Sequence, residues 1–142
     1  MANLDSAAVF TFTTIVVPHS GPYNIVKVSI AWLCDSGDGS FVTADFPAAN
    51  MPDILGKSCY FVITNPGTTA PTAAYDITIA DANGLSVFGT QLDNRSATAT
   101  EQIAPVISSV YAPRLCVDQW TFALAGNSVN SAIGVCDLYF KY

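Results

Sequence analysis

Apolar and polar positions alternate with a period of two along most of this chain. In NIVKVSIAWLCD the residues Val26, Val28, Ile30, Trp32 and Cys34 share one face, and Lys27 and Ser29 begin the other. Successive side chains of a strand point to opposite faces, so the pattern predicts a strand with one face against a core. RLCVDQWTFALAG repeats it, with Trp120, Phe122 and Leu124 opposed by Gln119 and Thr121. SAIGVCDLYFKY does the same, with Cys136, Leu138 and Phe140 alternating with Asp137, Tyr139 and Lys141. AVFTFTTIVV and SCYFVIT are rich in β-branched and aromatic residues, the types that fit a pleated surface. No segment carries a helical stripe.

Between these runs lie PHSGP (18–22), DSGDGS (35–40), FPAANMPD (46–53), TNPGTTAPTAA (64–74), DANG (81–84) and AGNSVN (125–130). Gly, Pro, Asn and Asp supply the backbone angles and local hydrogen bonds that reverse a chain. Strands are expected near 8–17, 23–34, 41–46, 58–64, 75–80, 85–88, 115–124 and 132–140. QLDNRSATATEQIAPVISS shows no clear period and reads as a loop with a short helical turn or as an irregular strand. About eight short strands predict an all-β protein, an antiparallel β-sandwich with residues 1–142 forming a single domain. A jelly roll is the expected topology and an immunoglobulin-like sandwich the alternative. The Cys–Trp–Cys arrangement of the alternative is missing, because Cys34 follows Trp32 by two residues instead of preceding it by a strand.

Composition adds a constraint on the surface. Half the residues are apolar (51%), yet no apolar run approaches the roughly 20 residues of a membrane span. MANLDSAAVF lacks a Lys or Arg ahead of its apolar residues, so a signal peptide is not expected, and the chain reads as a soluble product of the cytoplasm. Charged residues make up 11%, less than half the usual quarter, with a net charge of −6. Lys27, Lys57, Arg95, Arg114 and Lys141 are scattered, whereas phosphate backbones require clustered cations, which excludes nucleic acid as an expected partner. So little charge suits a protein covered by neighbours.

The chemistry-bearing residues point away from catalysis. Asp76, Asp81 and Asn83 in YDITIADANGLSVFG admit a metal-loop reading, but Glu101 is the single Glu of the chain and no bidentate ligand follows. Alternation on both sides of Asn83-Gly84 predicts a hairpin instead, since both residues tolerate positive φ. Asp35, Ser36, Asp38 and Ser40 offer oxygen ligands for a hard cation, yet they bridge two expected strands as an ordinary loop. His19, the only histidine, sits in a Pro/Gly turn, and no nucleophile elbow accompanies it. No two carboxylates stand out as a glycosidase pair. Cys34, Cys59, Cys116 and Cys136 have neither C-x-x-C spacing nor a nearby His, and read as buried thiols of a reducing compartment; two disulfides in three connectivities stay open. Asn94-Arg95-Ser96 fits a glycosylation acceptor without a secretion signal to support it. Trp32 and Trp120 admit sugar stacking, but both lie on the apolar faces of their strands, which predicts core packing. No catalytic, cofactor-binding or metal-binding residue is therefore assigned, no cofactor is expected, and the chain is read as a non-enzyme.

Two stretches, NPGTTAPTAAYDITIADANGLSVFGTQLDNRSATATEQ (65–102) and DQWTFALAGNSVNSAIGVCDLYFKY (118–142), resemble small β-rich virion structural proteins of tailed bacteriophages. Within that group the chain looks most like auxiliary capsid proteins, which decorate or cement the shell. The resemblance rests on turn chemistry: a GTTAPTAAYD-like turn before a strand, an Asp-x-Asn-Gly hairpin, and two final strands around a GNS-like turn. The four cysteines depart from it. It implies a β-sandwich or jelly roll that assembles as a homo-dimer or homo-trimer over joints between major capsid subunits, on the virion surface after synthesis in the host cytoplasm. The termini MANLDS and YFKY and the segment 90–114 are the expected contact regions. A phage tail, neck or fibre component is the alternative implied, and a carbohydrate-binding module is a further one.

Overall fold

The computed structural model describes residues 5–17 and 24–142. His19 and its turn, and residues 1–4 of MANLDS, lie outside the described residues. Among the described residues eleven strands follow in order: β1 (Ala7–Val16), β2 (Asn24–Leu33), β3 (Ala44–Asp45), β4 (Ser58–Pro66), β5 (Asp76–Ala80), β6 (Glu101–Ile103), β7 (Val106–Ile107), β8 (Val110–Tyr111), β9 (Arg114–Leu115), β10 (Thr121–Ala125) and β11 (Ile133–Lys141). All pairings between them are antiparallel. The large sheet runs β1-β2-β11-β4-β6, with β9 pairing further along β4; the small sheet runs β3-β10-β5. The protein is an all-β antiparallel sandwich, as the alternation predicts.

The inward faces are those the pattern assigns. Val26, Val28, Ile30, Trp32 and Cys34 are buried, as are Cys136, Leu138 and Phe140 beside them and Trp120, Phe122 and Leu124 opposite. Register brings like to like: Cys136 pairs with Ile30 and Leu138 with Val28 in the large sheet, and Phe122 pairs with Ile79 in the small one. Aromatic rings join the layers, Trp120 meeting Phe140 at 5.5 Å and Trp32 meeting Tyr75 at 5.6 Å between centroids. Gly134 exists for this packing: a Cβ there would run into the indole of Trp32 and lie 3.0 Å from the Asn65 carbonyl oxygen.

Three expected strands change. Residues 85–88 do not form one; the chain makes a single bridge, Ser86 to Ala80, and then turns. Val87 and Phe88 are both buried, and adjacent residues cannot point the same way from a pleated strand. The strand expected over 115–124 splits: Leu115 ends β9, and β10 begins at Thr121, because residues 116–120 cross from the edge of β4, where Cys116 still bonds Gly56 and Lys57, to the small sheet. The stretch 41–46 contributes only Ala44–Asp45, while Phe41 packs edge-on against Phe122. The unreadable stretch 91–109 resolves into turns followed by β6, β7 and the tip before β8.

Candidate functional site

The residues considered for chemistry are placed in turns or in the core. Asp81 Oδ1 accepts hydrogen bonds from the amides of Asn83 (2.9 Å) and Leu85 (3.0 Å), and Asp76 Oδ1 accepts from the Asn94 amide (2.8 Å). The DANG turn reverses the chain as expected but by a different geometry. Only Gly84 has positive φ (+79°); Asn83 does not, so the turn is not the paired-positive type its dipeptide suggests. The Asp81 carboxylate holds the turn from its first position, and one left-handed glycine closes it. Asp35, 1% exposed, accepts from the amides of Gly37 and Asp38, and Asp38 accepts from the Ser40 amide, so DSGDGS is a self-bonded loop. Hydrogen bonds from Ser40 hold the Asp38 carboxyl below the usual carboxylate range. Among the described residues, no group of three His, Cys, Asp or Glu side chains is placed to hold a metal ion.

All four cysteines are free and buried. Burial pushes the Cys34 and Cys116 thiols up to about 11, and raises Cys59 and Cys136 further. They are held as thiols, the form least suited to nucleophilic or ligand chemistry. Trp32 and Trp120 are 2% and 1% exposed, so neither indole reaches a ligand on the surface. Arg95 donates to the Asp93 carbonyl and stands 3.8 Å from Glu101. Lys141 and Lys57 lie over the rings of Tyr60 (4.3 Å) and Tyr142 (4.5 Å), which leaves these cations dispersed.

What the structure does assemble is a largely apolar surface on the outer face of the large sheet, reaching from β11 and β4 toward the β6–β9 edge. It starts from a bulge in β4. Tyr139 pairs with Phe61 but Phe140 pairs with Cys59, so Tyr60 is the extra residue. The bulge resets the alternation: Cys59 and Val62 both point inward, while Tyr60 and Phe61 are both left partly or wholly outside. Phe61 stacks on Tyr139 (4.3 Å, 12°), and the Tyr111 hydroxyl donates to the Tyr60 carbonyl at 3.2 Å. Tyr60, Phe61, Tyr111 and Tyr139, with Ile25 and the Lys141 side chain over Tyr60, line a shallow depression.

A hairpin projects beside this shelf. β6 pairs with β4 at Val62–Thr64 and β9 pairs with it at Ser58–Cys59, so the chain leaves β4 between them as β7 and β8. Val106, Ile107, Val110 and Tyr111 are all exposed, Val110 to 65%, and Leu115 and Val117 follow at 54% and 69%. Ser108 and Ser109 at its tip have φ of +50° and +64°. Two successive left-handed residues make the tight turn that matches strand twist, a turn Asn-Gly serves with less strain than Ser-Ser. Sequence reading singled out 90–114 as contact surface but missed both the bulge and the hairpin. Two-residue strands have no measurable period, and Ser-Ser is not a hairpin dipeptide.

No protein family and no curated protein matches the sequence. Among solved structures, the chain is similar to one described as a cyanophage Pam1 capsid asymmetric unit, with a TM-score of 0.44 and 16% identity over 90% of this chain and 91% of that one. A superposition this loose decides neither fold nor function. Among the described residues, no helix is long and apolar enough to cross a membrane.

Proposed function

We propose that this protein is a bacteriophage virion structural protein, a decoration or cement protein that binds over joints between major capsid subunits and stabilises the head. The observation that carries the reading is the exposed apolar hairpin Val106–Tyr111 with its aromatic shelf, on a chain with 11% charge. Such a surface belongs against another protein. The virion-like stretches 65–102 and 118–142 support it, and so does strand order. With β1 set aside, the second and last long strands pair, followed by β4 and β6; β10 lies between β3 and β5, and Ser86 bridges the far side of β5. That order fits a two-sheet jelly roll, a fold used by viral capsid domains, better than the immunoglobulin-like alternative. Fold alone would not choose a function, and the apolar surface supports one that works by contact with another protein.

The mechanism is area burial. The hairpin seats in the joint between two shell subunits, the shelf covers the flank, and the weak contact of each copy is multiplied around the shell. Quantifying the protein in purified virions, with cryo-microscopy of the same particles, tests the reading. Copies in proportion to capsid subunits, with density at subunit joints, are expected. A few copies per particle would replace the head by a tail, neck or fibre location. Val110→Asp on the hairpin should keep the fold and abolish binding to shells; unchanged binding would remove the hairpin from the contact.

A further inference from the structure

The opposite edge of the large sheet carries a second surface. β1 is its outermost strand, ten residues long, and its register with β2 runs from Ala7–Leu33 to Val16–Asn24 without a bulge. Its free edge has none of the usual protections: AAVFTFTTIV contains no charge and no proline. Among the described residues, none hydrogen-bonds to that edge from outside the sheet. Among the described residues the other edges are short or covered. β3, β6, β7, β8 and β9 are two or three residues long, and β5 is covered at both ends by the Tyr75–Arg95 and Ala80–Ser86 bridges. A long, flat, uncharged edge is a template for another strand.

We infer that β1 pairs with β1 of a second copy, antiparallel about a twofold axis at Phe12, joining two sheets into one. The strand is self-complementary about that residue. On the outer face Val9 then opposes Ile15 of the other copy and Thr11 opposes Thr13, apolar against apolar and hydroxyl against hydroxyl. On the inner side Phe12, which already packs against the core, meets Phe12 of the other copy at the axis, and Phe10 faces Thr14. Charge permits the same edge: a chain of net charge −6 repels its copies, and along β1 two copies meet without opposing like charges. Nine paired residues, 8–16, span about 31 Å of ladder at a depth of about 10 Å. The projected footprint, roughly 310 Å², is below the roughly 800 Å² per partner of a standard interface, so the dimer should dissociate on dilution.

The two surfaces then work together, a consequence that rests on the proposed function while the pairing does not. β1 and the hairpin lie at opposite edges of the sheet, so a joined sheet carries its two hairpins at its far ends. At about 4.8 Å per strand they stand roughly 40 Å apart, which makes the dimer a bivalent clamp.

Sedimentation of the purified full chain over a concentration series tests the pairing without any virion, so its failure is separate from failure of the capsid role. The wild type should approach twice the chain mass. Val9→Lys with Ile15→Lys places lysines directly opposite each other and should give the monomer mass; mixing it with Val9→Glu, Ile15→Glu should restore the dimer mass. A monomeric or trimeric wild type, a lysine variant that stays dimeric, or a mixture that stays monomeric would each overturn the inference. Should the variants not fold, hydrogen exchange of the wild type decides. Alternate β1 amides should gain protection as concentration rises, and concentration-independent exchange would sink the pairing.

Discussion

Single residues carry two effects open to direct measurement. Gly134 faces Trp32 so closely that any Cβ must displace the indole. Gly134→Ala should cost about 1–3 kcal/mol by overpacking, read from urea denaturation, and an unchanged midpoint would mean that the ring moves freely. The buried thiols set an alkaline limit. Desolvation keeps Cys34 and Cys116 protonated up to about 11, whereas in the unfolded chain they ionise near the ordinary value of 9.0. Above pH 9.0 the unfolded state therefore holds fewer protons, so stability present in full below that pH declines as pH rises toward 11. Cys116→Ala should make the decline shallower; a slope equal to that of the wild type would contradict this origin. The acceptor role of Asp81 was hidden in the DANG dipeptide signal, because a carboxylate at the first turn position and a glycine at the fourth serve several turn types.

At the scale of elements, the long strands were legible and the short ones were not. Ten residues of β2 or nine of β11 repeat the period often enough to assign a face, and the assigned faces are the buried ones. The bulge at Tyr60 is one residue out of step, and no residue type in SCYFVIT announces it. The hairpin tip is its own test. Ser108→Asn with Ser109→Gly supplies residues that accept positive φ and should stabilise the hairpin by about 1 kcal/mol. Hydrogen exchange of the hairpin amides should slow about fivefold, and unchanged exchange would show that the Ser-Ser turn is not strained.

For the whole molecule, the two layers depend on aromatic rings that reach between them. Trp120 touches Phe46, Phe88 and Phe140. Trp120→Ala should cost about 3–5 kcal/mol by thermal or chemical unfolding, and a fold that survives unharmed would return the indole to the list of surface candidates. Sequence alone determined the all-β class, the inward faces of β2, β10 and β11, the turns at DSGDGS and DANG, and the shortage of charge. These are local: a pleat alternates side chains whatever lies beside it, and a turn residue acts on its own backbone. The tertiary structure alone decided which strands are neighbours, which edge is left bare, and that Tyr60, Phe61, Tyr111 and Tyr139 meet in one shelf. Those depend on contacts between residues far apart in the chain, where the pairing energy is set by the partner strand and not by the residue's own sequence. Thus β1 reads in sequence as one more strand, and only its place at the end of the sheet makes it an open edge.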